Sequence, residues 1–176
     1  MLKYIDIRAI PFLLVNAAYI FMLDAANTQL APHAFILLPA IFIVAPALYL
    51  SFGGMLFTVA VSALLAEAAY PVRTGLVCAV WILCGFIIHN VRFRFRSMDT
   101  LSVIAAMEAV NLFVIAFYAA IFPNDCGNFW YYAMRVGSDA LASALVLAAV
   151  AKFTVRLPVD IMNFAGFDLS ISDEKR

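Results

Sequence analysis

Charge is the scarcest thing in this chain. Asp, Glu, Lys and Arg make up 12% of its 176 residues, where a soluble domain carries about a quarter. With 66% of residues hydrophobic, too little polar surface is left to cover a globule standing in water. Net charge is missing as well: eleven basic residues against eleven acidic give a formal balance of zero, so nucleic acid is not an expected partner. The three cysteines, Cys78, Cys84 and Cys126, form no CxxC or CxxxC pair. Cys78 and Cys84 share one apolar run, where small buried cysteines are ordinary packing residues, so no metal, redox chemistry or cofactor is expected. No Walker loop, HExxH or GxSxG occurs. The chain is therefore expected not to be an enzyme, and no catalytic residue is nominated. Nor is there a linker, a low-complexity tract or a visible repeat, and the length suits one domain over residues 1–176.

What the sequence does have is long apolar runs. A bilayer is the solvent that suits them, and lipid obliges each run without strand-like alternation to be a helix. Six segments read this way: Ala9–Leu23, His33–Leu50, Gly54–Ala69, Gly75–Val91, Leu101–Phe122 and Tyr132–Leu157. Pro39 and Pro46 should kink the second. At about 1.5 Å per residue, roughly 16–20 residues reach 24–30 Å, enough to cross. Lys3 and Arg8 before the first run, with Ala25-Ala26 after it, imitate a signal peptide. Asp24 sits badly for cleavage and more apolar runs follow, so the first helix is expected to be retained. The expectation is an all-α polytopic membrane protein with six transmembrane helices and a cytoplasmic tail over 158–176.

Basic residues set the expected orientation. Joints at Asp24–Pro32, Tyr70–Thr74 and Pro123–Phe129 share one side; those at 51–53 and Arg92–Thr100 share the other. Lys3, Arg8, Arg92, Arg94, Arg96, Lys152, Arg156, Lys175 and Arg176 fall on the second side, and only Arg73 and Arg135 on the first. Both termini are thus expected in the cytoplasm. Arg92, Arg94 and Arg96 alternate with Val91, Phe93 and Phe95, a basic loop suited to orientation, to lipid phosphates or to a cytoplasmic partner.

Ionisable residues at bilayer depth are costly and should face protein or water. Glu67, Glu108, Arg135 and Asp139 are the candidates, with Asn16 and Asn111 as uncharged companions. Arg135 and Asp139 are i,i+4 and share a face, so a cluster of Glu67, Arg135 and Asp139 at the outer ends of helices three and six is conceivable. It reads as an ion-paired patch fixing helix packing, as a ligand or ion site open to the outside, or as part of a proton relay, although no chain of acids crosses the membrane. Glu108 and Asn111 are i,i+3 on helix five and too deep to join it. Ala140, Ala144 and Ala148 repeat at four-residue spacing and mark an expected helix-contact face.

Across residues 50–155 the layout resembles the MreD family of bacterial rod-shape membrane proteins. A small residue, an acid, a turn residue and a glycine step by four through Ala63, Glu67, Pro71 and Gly75. A basic-aromatic stretch over 91–97 follows, then a long apolar helix with a central polar residue, Asn111, and an aromatic start to the last helix, Phe129-Trp130. The chain departs from that family in having Glu67 where Asp is usual, and Ala63 and Pro71 where Gly is frequent. The resemblance implies a non-enzymatic scaffold in the bacterial inner (cytoplasmic) membrane, among membrane lipids. Its implied partners are an MreC-like single-span protein and, through it, MreB filaments and wall-elongation synthases. The same plan is similar to the substrate-capture subunits of energy-coupling-factor vitamin transporters, the alternative reading. Against that alternative, helix one has no Ala-xxx-Ala pair and the 24–32 joint is short for a lid, whereas Trp130, Tyr131 and Tyr132 near Arg135 favour it. A lone ion-coupled carrier fits least, with no inverted repeat or pair of broken helices visible.

Overall fold

The computed structural model describes residues 7–30, 34–68, 75–96, 100–121 and 129–164. Among them are six helices: α1 (Ala9–Leu30), α2 (Pro39–Tyr49), α3 (Phe52–Ala68), α4 (Leu76–Arg96), α5 (Thr100–Ile121) and α6 (Phe129–Phe164). Three of these, α1, the Leu101–Ile121 part of α5, and α6, are long and apolar enough to cross a membrane. The all-helical expectation holds; several boundaries do not.

α1 does not stop at Leu23. Asp24 stays inside it, the Thr28 hydroxyl bonds the Asp24 carbonyl one turn back at 2.8 Å, and the helix runs on to Leu30. A single acid on a partly exposed face does not end a helix, and the next residues, Ala25 and Ala26, are strong helix formers. The joint expected at Asp24–Pro32 is therefore mostly helix, with residues 31–33 outside the described part.

The second expected helix is shorter still. Residues 34–38 are not helical, and α2 begins at Pro39. A proline disfavours the α conformation in the residue before it, and Leu38 accordingly sits at φ −127°, ψ 51°. Pro39 then occupies the first turn, where its missing N–H costs nothing. It starts the helix rather than kinking it, while Pro46 is carried inside α2. Every residue from Pro39 to Leu48 is buried, as expected of a helix apolar on all sides. α2 packs against each of the other five helices and forms the axis of the bundle. Phe42 stacks on Trp81 of α4 at 5.6 Å. At Gly85 an added Cβ would come within 3.2 Å of the Met55 sulfur and 3.7 Å of Ile43 and Val59, so the missing side chain lets α2, α3 and α4 approach.

The remaining ends follow local chemistry. The Ser51 hydroxyl accepts the Gly54 N–H at the start of α3, an N-cap. α4 continues beyond Val91 to Arg96, so Arg92, Arg94 and Arg96 lie on a helix and not in a loop; the connection at 97–99 lies outside the described residues. α6 starts at Phe129 and passes Pro158 to reach Phe164, which places the beginning of the expected tail on a helix; residues 165–176 lie outside the description. Its 36 residues measure about 54 Å, beyond the roughly 30 Å of a hydrocarbon core.

Candidate functional site

Asn27 near the end of α1, Glu67 near the end of α3 and Asp139 near the start of α6 lie toward one end of the bundle, where α1, α3 and α5 finish. The segment 34–38 lies there between α1 and α6, non-helical and without a ladder partner among the described residues, its Ala34 N–H donating back to the Leu30 carbonyl at 3.0 Å. Backbone polar groups away from water need partners, and three side chains supply them. The Phe35 N–H donates to Asp139 Oδ1 at 2.9 Å and the Leu37 N–H to Ser143 Oγ at 2.9 Å, both on α6. Between them, Ile36 turns to α1: its N–H donates to Asn27 Oδ1 and its carbonyl accepts from Asn27 Nδ2, each at 2.8 Å. The pattern is geometric. Alternate N–H groups of extended backbone point to opposite sides, and two extended residues advance about 6.6 Å, close to the 6 Å of four helical residues. An i,i+4 pair on α6 thus matches an i,i+2 pair of amides.

Asp139 has a second duty. Its Oδ2 accepts from Arg135 Nε at 3.3 Å in the i,i+4 ion pair. Glu67 stands elsewhere. Its Oε2 accepts the Gly75 N–H at 2.8 Å and its Oε1 the Cys78 N–H at 3.0 Å, so a carboxylate from α3 caps the amino end of α4, where unpaired N–H groups and the helix dipole favour an anion. Gly75, at φ +95°, holds the left-handed turn that aims its amide there. α3 and α6 are not a packed pair. The expected cluster of Glu67, Arg135 and Asp139 therefore divides into a helix cap and a separate ion pair, because each carboxylate is claimed by the nearest unpaired backbone amides. Pro71 of the four-step pattern lies outside the described residues.

At the opposite end α4 closes α2. His89 Nδ1 lies 3.1 Å from the Ala47 carbonyl and Arg92 Nη1 donates to the Leu50 carbonyl at 3.0 Å, a cation at a helix C-terminus. The side chains of Arg94 and Arg96 are outside the description. In the bundle interior Asn16 Nδ2 donates to Ser62 Oγ at 2.9 Å, joining α1 to α3. On α5, Asn111 is fully buried, and both its amide atoms and both Glu108 oxygens lack a hydrogen-bond partner among the described residues. These two remain apart from the Glu67 and Asp139 groups, as expected.

The face of α6 that packs inside the bundle is not centred on the alanine stripe. Ala140 and Ala144 are half-buried and Ala148 is exposed, whereas Ser143, Leu147, Ala151, Thr154, Pro158 and Met162 are buried. Asp139 and Ser143 must meet the 34–38 amides, and that requirement fixes the helix rotation one residue away from the stripe.

A cavity of about 490 Å³ opens beside this frame. Ile20, Leu23, Leu37, Phe42, Val77 and Trp81 supply much of its wall, with Asp24, Asn27, Glu67 and Tyr118 as polar members. A smaller one of about 170 Å³ lies on the α5–α6 side. Phe35 and Leu37 line both, so the segment 34–38 is the partition between them. The polar side chains of the wall already have partners within the chain. Asn27 is bound to Ile36, Glu67 to the start of α4, and Trp81 Nε1 donates to Tyr118 Oη at 2.7 Å; Asp24 is engaged within the chain as well.

Asn27, Ser143, Trp81 and Tyr118 were not among the residues singled out from the sequence as a site. The signal for the first two is Pro39 inside an apolar run: it predicts non-helical backbone before it, and that backbone needs side-chain partners. Comparison with protein-family models, with curated proteins and with solved structures finds no match for this chain.

Proposed function

We propose that the chain is a six-span protein of the bacterial cytoplasmic membrane, with both termini inside, and that it acts as a non-enzymatic scaffold of the wall-elongation machinery in the manner of MreD. The observation that carries this reading is the use made of polar side chains at membrane depth. Asn27, Glu67, Asp139 and Ser143 are bonded to the chain's own backbone, which favours a fixed frame over a carrier that must rearrange. Six crossings are supported by the second segment, in which five non-helical residues add their length to the 11 residues of α2, a helix that alone covers about 16 Å. The nine-to-two division of Lys and Arg supports the orientation. In this reading Arg92 and the rest of the basic end of α4 face the cytoplasmic filament side, and an MreC-like single-span protein packs against the bundle.

A second reading, a small-molecule capture subunit, is favoured by the cavity of about 490 Å³, a volume usual for ligand sites. Purification from native membranes in mild detergent, followed by mass spectrometry of what accompanies the protein, separates the two. A single-span coiled-coil protein with wall synthases supports the scaffold. Paired ATPases with a coupling subunit support capture and end the scaffold reading.

A further inference from the structure

We infer that the large cavity beside residues 34–38 houses the acyl chain of a membrane phospholipid. The argument goes beyond the scaffold reading and does not depend on it. Polar small molecules are held by a few unsatisfied donors and acceptors placed in an otherwise apolar pocket, and here the wall is mostly carbon, with its polar side chains already bonded within the chain. Asn27 gives both halves of its amide to Ile36, both Glu67 oxygens cap α4, and the Trp81 indole is bonded to Tyr118. What remains for an occupant is carbon: Ile20, Leu23, Leu37, Phe42, Val77 and the faces of the aromatic rings. An alkyl chain needs no hydrogen bond and fills such space without stranding one. The supply is adjacent. On α1 the cavity residues Ile20 and Leu23 flank Phe21 and Met22, which are 71% and 66% exposed on the outer surface of an apolar helix. Apolar surface therefore continues from the outside of the bundle to the cavity wall.

Trp81 makes the occupant visible. The chain has two tryptophans, and the other, Trp130, is 74% exposed at the start of α6, so Trp130→Phe leaves Trp81 as sole reporter. This variant is reconstituted into vesicles of phosphatidylcholine brominated in mid-chain and, in parallel, into the same lipid without bromine. Trp81 lines the cavity and is otherwise buried, and quenching from lipid around the outside is what remains when the cavity is filled by substitution. The expected result is loss of most of the Trp81 emission in the brominated lipid. Ala66→Phe or Val77→Phe, each adding a ring to the cavity wall, restores it; either substitution suffices if the other fails to fold. Equal emission in the two lipids overturns the proposal, as does quenching that neither substitution relieves. Protection of Trp81 that lifts only when co-purifying proteins are stripped away also overturns it, since a protein segment then fills the space.

Discussion

Replacing Asn27 by alanine tests the frame at its most economical point. One side chain serves both the N–H and the carbonyl of Ile36, each at 2.8 Å, and Asn27 itself is 5% exposed. Alanine leaves two backbone groups with neither a partner nor ready access to water. A buried orphan costs about 1–3 kcal/mol, while hydrogen bonds inside membrane bundles average nearer 0.6 kcal/mol. Two groups together should therefore lose about 2–4 kcal/mol, a large part of the roughly 5–15 kcal/mol that holds a fold. At about 2–4 °C per kcal/mol for a chain of this size, the melting midpoint falls by roughly 4–16 °C. A thiol-reactive fluorogenic dye in mild detergent reads this in a background carrying Cys78→Ala and Cys126→Ala, where the remaining thiol, Cys84, is buried in the core and reacts on unfolding. Asn27→Asp keeps the acceptor for the Ile36 N–H and loses the donor, so it should fall between alanine and the wild type. Amide exchange at Ile36 should quicken in the same order. An Asn27→Ala protein with an unchanged midpoint and unchanged Ile36 exchange would refute the idea that side chains hold residues 34–38.

Three further outcomes follow from the same geometry. Glu67→Ala should lower stability by about 1–2 kcal/mol through loss of the α4 cap, and Glu67→Gln by less, since one carbonyl oxygen can still accept; equal losses would mean that the cap contributes nothing, and the same melting assay decides. Ala151→Leu, at a site with no exposure, should cost about 1–3 kcal/mol by overpacking, whereas Ala148→Leu should be neutral because that side chain faces outward; the reverse order would restore the alanine stripe as the contact face. Arg92→Leu should cost about 1 kcal/mol by uncovering the Leu50 carbonyl at the end of α2, and Arg92→Lys should recover part of it in chemical-denaturation curves.

The number of apolar segments was legible because bilayer-length hydrophobic runs leave little choice of conformation. The i,i+4 partnership of Arg135 and Asp139 was also legible, since both lie on one helix. What one helix does to another was not. Glu67 looked like a member of a charged cluster, yet its oxygens answer to Gly75 and Cys78, a need that arises only once α4 folds beside α3. The alanine stripe obeyed a sound packing rule and lost to the backbone of residues 34–38, which dictates the rotation of α6. The break before α2 could have been read from Pro39, had the proline been taken as a beginning rather than a bend. Asn27 then becomes one of two upstream amide side chains, with Gln29, able to serve both sides of a peptide unit.

A helix with no outward face has consequences for how the chain is made. α2 is the second helix to emerge from the ribosome, and four of the five helices that pack on it, α3, α4, α5 and α6, are synthesised later. At 11 residues it is too short to be held by the bilayer alone, being about 16 Å long, and the amides of Phe35 and Leu37 wait for Asp139 and Ser143 at the far end of the sequence. Packing of the bundle therefore cannot be completed in the order of synthesis: a chain stopped before α6 leaves the amides of Phe35 and Leu37 without the side chains that accept them.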